Sequence, residues 1–285
     1  MALFAPPTLG GKQLWADVFL HAGYRIQEQV YTSQCRLLGP NDRRWETGTY
    51  MECRNTFERM KSEHDLKHSS TEAVLLLHGI FRAKDAFGPM TRSLRTEGFQ
   101  AWSVNYPSTR QSLADHAEGV ERLLNSLEGI EKIHLVTHSM GGLLARLLLA
   151  RNAEWRQRIE VQRLVMIATP NQGAEIADML QPLAATALIG GPSMQDLTTE
   201  SVRKMPKPDV PFGIVAGVKG DGAGFNPLLS GEDDMTVALE ETFLDGAEDE
   251  LFVKAIHTFV MSHPDVITGT IRYLRTGCFT EAILG

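Results

Sequence analysis

The chain contains 285 residues, which is long enough for one large domain or two small ones. Its hydrophobic fraction of 43% and charged fraction of 22% are typical of a globular protein that folds in water. The net charge of −7 argues against a nucleic-acid partner, because a protein that binds phosphates needs an excess of positive charge.

The first residues lack the basic and apolar stretches of a signal peptide. No run along the chain approaches the ~18 apolar residues that span a bilayer. We therefore expect a cytoplasmic protein without a transmembrane segment. Cys35, Cys53 and Cys278 are odd in number, which argues against a complete disulfide framework and leaves a single bridge open.

Residues 1–70 are polar and irregular, and we expect them to form an N-terminal extension packed on the core. Residues 23–38 alternate in part between apolar and polar side chains, and residues 39–42 are turn formers. A return strand over residues 45–50 would complete a hairpin. The charged residues 52–68 predict a solvated helix that leads into the core domain.

From residue 71 to residue 285 we expect one domain, because strands and helices alternate as they do around a parallel sheet covered on both faces. The segment 174–210 interrupts this alternation and predicts a short cap or lid. The expected strands cover residues 73–77, 100–106, 132–137, 161–168, 212–218 and 251–255, and the expected helices residues 87–97, 112–127, 142–151 and 264–275.

A sharp strand-to-helix turn is predicted at Thr137-His138-Ser139-Met140-Gly141-Gly142. Such a turn lifts a serine above the sheet, where a base can activate it. The usual pattern is Gly-x-Ser-x-Gly, and Thr137 replaces its first glycine. The position between an apolar strand and an apolar helix makes Ser139 the candidate nucleophile, in preference to an incidental serine in a turn.

An acyl-transfer reaction also needs donors for the oxyanion. Met140 would begin the helix, so its backbone N–H points at the developing charge. His78-Gly79-Ile80 follows an apolar strand, and the N–H of Ile80 is the second candidate donor. We assign no proton transfer to His78.

The triad order of this kind of site is serine, then acid, then histidine. His257 follows the last strand and is preferred as general base over His263, which lies at a helix start and suits a capping role. Three adjacent carboxylates, those of Glu232, Asp233 and Asp234, are candidates for the acid.

Five segments in order resemble the bacterial esterase/lipase branch of the α/β-hydrolases (triacylglycerol-lipase-like). They are His78-Gly79-Ile80, Asn105-Tyr106-Pro107-Ser108, Thr137–Gly142, Ala168-Thr169-Pro170-Asn171-Gln172-Gly173 and His257-Thr258-Phe259. The resemblance covers about residues 71–278 and implies the α/β-hydrolase fold. Its Asp-Gly-x-Val motif, placed on Asp234-Met235-Thr236-Val237, implies Asp234 as the acid; the missing glycine leaves Asp233 open.

The expected activity is hydrolysis of small-molecule or lipid acyl esters through Ser139, His257 and Asp234, with no cofactor. Acyl transfer, thioester cleavage and amide cleavage would use the same residues, and a non-catalytic binding protein of the same fold is the alternative from another class. Pairs such as His64 and His68, or the loop at Asp221, lack the further ligands of a metal site. The sequence does not decide the oligomeric state.

Overall fold

The computed structural model describes residues 11–180 and 190–281. Its first part is a four-stranded antiparallel sheet in the order β1-β2-β3-β4, followed by a helix. The elements are β1 (Trp15–His21), β2 (Tyr24–Gln29), β3 (Cys35–Leu38), β4 (Arg44–Gly48) and α1 (Tyr50–His64). Phe19, Ile26 and Leu37 of this sheet pack against Phe57 of α1 in a small core of their own.

The sequence expectation of a single hairpin was wrong for this part. Strand β1 was missed, and residues 23–38 contain two strands, because the chain turns at residues 30–34 with Ser33 at φ 53°. The turn at residues 39–42 is confirmed, with Asn41 at φ 62°. Helix α1 begins two residues before the expected start, where Thr49 and Glu52 form a capping box. It ends at His64, because the next residue, Asp65, has a left-handed φ of 47°.

The core is a six-stranded parallel sheet in the order β10-β9-β8-β7-β5-β6, flanked by helices, as the sequence predicted. Its strands are β5 (Glu72–Leu77), β6 (Gln100–Val104), β7 (Lys132–His138), β8 (Glu160–Ile167), β9 (Phe212–Val218) and β10 (Asp249–Lys254). The helices are α2 (Gly88–Thr96), α3 (Leu113–Ser126), α4 (Met140–Leu149), α5 (Glu175–Leu180), α6 (Pro192–Gln195), α7 (Thr199–Arg203), α8 (Leu239–Thr242) and α9 (Pro264–Thr276).

Helices cover both faces of this sheet. Leu75 and Leu77 of β5 face the side of α3 and α4, whereas Val74 and Leu76 face the side of α2 and α9. Successive side chains of a strand point to opposite faces, so a strand buried on both sides is apolar throughout. This is why the central strands are continuous apolar runs, and why their carboxyl ends form the open edge where a site can lie.

The segment expected to form a lid contains the short helices α5, α6 and α7, and its residues 181–189 lie outside the described residues. Arg146 of α4 forms hydrogen bonds near both ends of this segment. This buried guanidinium donates hydrogen bonds to the carbonyl of Asn171 (2.9 Å) on one side and to those of Met205 (2.7 Å) and Pro206 (3.0 Å) on the other. Burial lowers the pKa of Arg146. Within the described part of the chain, its guanidinium donates to these three backbone carbonyls and to the side-chain oxygen of Asn171.

All three cysteines carry free thiols, with Cys35 and Cys53 buried and Cys278 exposed. The bridge that the sequence left open is therefore not formed. None of the described helices is both long enough and apolar enough to cross a bilayer.

Candidate active site

Ser139 lies at the carboxyl end of β7, near the middle of the parallel sheet. Its backbone has φ 53° and ψ −124°, a conformation that L-residues rarely adopt. The Ser139 amide donates a hydrogen bond to the carbonyl of Ile167 on the neighbouring strand, at 2.8 Å. The local geometry is thus the sharp strand-to-helix turn that the sequence predicted.

Two glycines allow this turn to pack closely. A Cβ added at Gly141 would lie 2.2 Å from the Leu77 carbonyl oxygen, and one added at Gly142 would lie 2.1 Å from Thr169 Oγ1. Thr137, which replaces the first glycine of the usual pattern, is fully buried and donates its hydroxyl to the Val165 carbonyl at 3.0 Å. This departure from the pattern therefore adds a hydrogen bond between β7 and β8 without disturbing the turn.

His257 and Asp234 are joined by two hydrogen bonds. The ring nitrogen Nδ1 of His257 lies 2.7 Å from Asp234 Oδ2, and the His257 amide donates to the Asp234 carbonyl, also at 2.7 Å. The other carboxylate oxygen, Oδ1, accepts from the amides of Thr236 (3.0 Å) and Val237 (2.8 Å). A carboxylate accepts hydrogen bonds only, so Nδ1 carries the proton and Nε2 is left as a base.

The imidazole of His257 packs on the ring of His138, the residue that precedes Ser139. His257 therefore lies beside the turn that carries Ser139. The hydrogen bonds formed within residues 11–180 and 190–281 do not include one between Ser139 Oγ and His257. Nucleophile and base in ligand-free sites are often farther apart than in the reacting complex.

The three adjacent carboxylates have three separate sets of partners. Glu232 accepts hydrogen bonds from the amides of Lys219 (2.8 Å), Gly220 (2.8 Å) and Gly222. The fully buried Asp233 accepts from the amides of Asn226 (3.1 Å) and Met235 (2.6 Å). Asp234 alone of the three contacts His257, whereas the other two hold the shape of the loop.

His138 belongs to the candidate site, although no motif in the sequence indicated a role for it. Its ring centroid lies 4.8 Å from that of His257, and its Nε2 lies 3.0 Å from the His257 carbonyl oxygen. A carbonyl can only accept, so Nε2 carries the hydrogen of this bond. Burial lowers the pKa of His138 well below its usual range, which keeps the ring neutral beside His257.

The two candidate oxyanion donors belong to two separate segments of the chain. Met140 is the first residue of α4, and Ile80 lies in the turn after β5. A Cβ added at Gly79 would lie 3.1 Å from Ser139 Cβ, so this turn approaches the serine closely. Neither amide donates a hydrogen bond to any of the described residues.

Three other histidines considered from the sequence, His78, His263 and His68, have structural partners. His78 is buried and stacks on Tyr106 with ring centroids 4.0 Å apart, and burial lowers its pKa to about 4. His263 caps α9, accepting a hydrogen bond from the Asp265 amide at 3.3 Å. His68 packs on His21 and bonds to Gln100. In the part of the chain that the structure describes, no three His, Cys, Asp or Glu side chains are grouped so as to hold a metal ion.

Several solved structures share this architecture. The lipase BlEst2 from Bacillus licheniformis is 19% identical, with a TM-score of 0.54 over 66% of this chain and 86% of that one. A metagenomic carboxyl esterase, MGS0156, is 14% identical, with a TM-score of 0.55 over 74% of this chain and 77% of that one. The lin2722 gene product from Listeria innocua is 15% identical, with a TM-score of 0.51 over 74% and 95%. The chain has the α/β-hydrolase fold, as the sequence predicted.

The sequence also matches one family model, described as a domain of unknown function, DUF7379, over residues 43–186. This span is just over half of the chain, which belongs to that family. It contains Ile80, Ser139 and Met140, whereas Asp234 and His257 lie beyond it. No curated protein matches the chain in sequence.

Proposed function

We propose that this protein is a serine hydrolase that cleaves carboxylic esters through an acyl-enzyme intermediate. The observation that carries the proposal is the 2.7 Å bond between His257 Nδ1 and Asp234 Oδ2, located beside the turn that carries Ser139. A histidine oriented by a buried carboxylate, next to a serine on a strained turn, is the arrangement that activates a hydroxyl for acyl transfer.

The proposed reaction has two stages. Ser139 Oγ attacks the acyl carbon of the ester while His257 Nε2 takes its proton, and Asp234 stabilises the imidazolium. The ester carbonyl oxygen becomes an oxyanion that accepts hydrogen bonds from the amides of Ile80 and Met140. The tetrahedral intermediate collapses, and the alcohol leaves with the proton from His257.

Water then attacks the acyl carbon, with His257 again accepting the proton. A second tetrahedral intermediate forms at the same oxyanion site and collapses to release the carboxylic acid. The proton returns from His257 to Ser139 Oγ, which restores the free enzyme. The alternatives of acyl transfer, thioester cleavage and amide cleavage differ only in the nucleophile or leaving group.

The substrate that we propose is a small-molecule or lipid ester with an apolar group, as in the bacterial esterase/lipase branch. Met235 and Phe259 support this, because they follow the acid and the base closely and are 49% and 64% exposed. Large apolar side chains exposed at the edge of a site suit an apolar ligand. We further propose residues 71–285 as the catalytic domain, with residues 1–70 as its extension and residues 174–210 as a lid.

A fluorophosphonate probe tests the mechanism. We expect it to label the wild-type protein and the Ser62→Ala variant, in which an exposed serine of α1 is replaced. Ser139→Ala should remain unlabelled and should lose hydrolysis of p-nitrophenyl esters. Equal labelling of Ser139→Ala and Ser62→Ala, or no turnover of any acyl substrate by the folded protein, would overturn the proposal.

A chain-length series of p-nitrophenyl esters tests the substrate class. We expect kcat/KM to rise from acetate towards longer acyl chains. The same series with an added alcohol, and with thioester and anilide analogues, separates hydrolysis from the three alternative reactions. A preference for acetate over every longer chain would contradict the proposed apolar substrate.

A further inference from the structure

The turn that carries Ile80 is strained. Arg82 donates its amide hydrogen to the Gly79 carbonyl at 3.3 Å, and Phe81 within this turn has φ 58°. A bulky residue with a positive φ costs free energy and persists only where its surroundings hold it in place. The direction of the Ile80 amide therefore depends on what fixes this turn from outside.

Gln13, in the segment just before β1, contacts the turn directly. Its side chain is buried, and its Nε2 donates to the Arg82 carbonyl at 2.5 Å and to Ser108 Oγ at 3.0 Å. Its Oε1 accepts from the amide of Thr109 at 3.2 Å and from the Thr109 hydroxyl at 3.3 Å. One amide side chain thus joins the Ile80 turn to the loop that follows β6.

The backbone on both sides of Gln13 is anchored as well. Asn105 Nδ2 donates to the carbonyls of Lys12 (3.0 Å) and Trp15 (2.6 Å). The Asn105 amide donates to the buried Asp17 carboxylate at 2.8 Å. Lys12 also forms an ion pair with Asp85, which lies shortly after the turn. Gln13 is consequently held at a fixed place relative to the core.

We propose that Gln13 is a positioning residue for the reaction, holding the Arg82 carbonyl so that the Ile80 amide points at the oxyanion. The N-terminal extension then completes the active site as well as packing against the core. This inference rests on the proposed function of Ile80. Without Gln13 the Arg82 carbonyl would keep the much longer bond from Ser108 Oγ (3.5 Å), so the turn could shift. Small displacements of an oxyanion donor reduce the rate strongly.

The Gln13→Ala variant provides the first test. We expect kcat for a p-nitrophenyl ester to fall by about 10- to 100-fold, less than the loss of a whole oxyanion donor, with KM within about twofold. The Ki of an alkyl boronic acid, whose oxygen occupies the oxyanion site, should rise by a similar factor. Gln29→Ala is the matched control, because the bonds of that side chain to described residues all go to Tyr31 and Thr32 of a turn.

The Gln13→Glu variant provides a second test, which holds even if Gln13→Ala fails to fold. A protonated carboxyl group has nearly the shape of the amide and can still donate to the Arg82 carbonyl, whereas an ionised one cannot. Burial raises a carboxyl pKa, so the ionisation should fall within the assay range. The ratio of kcat to that of the wild type should therefore fall as pH rises from about 5 to 9.

The outcomes separate this inference from the proposed function. If Ser139→Ala is inactive but both Gln13 variants match Gln29→Ala in kcat and boronic acid Ki at every pH, Gln13 has no positioning role. A lowered melting temperature with unchanged kcat and Ki would likewise reduce Gln13 to a structural residue. If Ser139→Ala retains full activity, the proposed function itself fails, whatever the Gln13 variants do.

Discussion

The strained backbone of Ser139 can be tested by stability as well as by activity. Ser139→Gly and Ser139→Ala both remove the hydroxyl group, so the proposed chemistry is lost in both. They differ in the Cβ, which alanine retains at φ 53° and ψ −124° and glycine lacks. The difference in their free energies of unfolding therefore reports the backbone strain at the turn.

The expected magnitude follows from two opposing contributions. A residue with a Cβ in such a sparsely populated region costs about 1–3 kcal/mol. Glycine avoids this cost but loses about 0.5–1 kcal/mol more backbone entropy on folding. Ser139→Gly should therefore be more stable than Ser139→Ala by about 1 kcal/mol, and by about 2.5 kcal/mol at most, because strain relief exceeds the entropic loss.

Urea unfolding of the two variants measures this difference, provided that the dependence of the free energy on urea is unchanged. The pair Ser62→Gly and Ser62→Ala is the control, since Ser62 lies in the regular helix α1. There the sign should be reversed, with alanine the more stable by up to about 1 kcal/mol. A glycine variant at position 139 that is no more stable than the alanine variant would refute the strain.

Two further predictions concern the acid and the buried histidines. Asp234→Asn should lower kcat by about 10²–10⁴-fold, since the histidine loses its orienting carboxylate, whereas Asp233→Asn should retain most activity and unfold at lower urea; equal kcat values would contradict the assignment. Burial lowers the pKa of His78 to about 4 and that of His116 to about 3. Unfolded histidines bind protons below pH ~6.5, so the free energy of unfolding should fall as pH falls from there towards 4. His116→Phe should make this dependence of the unfolding free energy on pH shallower, as measured by urea unfolding at several pH values. An unchanged pH dependence would show that His116 does not contribute to it.

Gln13 shows why part of the site could not be predicted from the sequence. It lies in an irregular, polar part of the chain, and its partners Arg82 and Thr109 are far away in sequence. A glutamine in such a stretch is usually a solvated side chain, and only the fold shows that this one is buried between two loops. The role of His138 could not be predicted for the same reason, because its contact with His257 joins two segments that are distant in the sequence.

The N-terminal sheet was poorly predicted for a related reason. Strand β1 has mixed apolar and polar residues, and its pairing with β2 is interrupted by an irregularity between Asp17 and Phe19. Asp17 is buried there, where Arg25 and Gln27 donate to its carboxylate. A charged residue in an apolar pattern argues against a buried strand, because burial of an unpaired charge is costly. The groups that compensate Asp17 belong to β2, and the sequence does not show that they lie next to it.

The sequence alone determined those features that depend on short segments or on the regular spacing of segments along the chain. The apolar runs specified the parallel strands, and the spacing of strands and helices specified a covered sheet. The motif around Ser139 predicted the sharp turn, because small residues and a strand-to-helix junction are contiguous in the chain. These features could be predicted because the residues of a short segment largely set its backbone conformation and the pattern of its buried side chains.

The tertiary structure alone decided which groups meet. The residues themselves left Glu232, Asp233 and Asp234 as alternatives for the acid, and the choice of Asp234 came from the family resemblance alone. The packing of their loop gives each carboxylate a different partner. A Cβ added at Gly217 of β9 would lie 2.9 Å from Asp234 Cβ, so the acid is pressed against that strand at the place where His257 lies. Hydrogen bonds act over about 3 Å, and the fold rather than the distance along the chain brings groups that close.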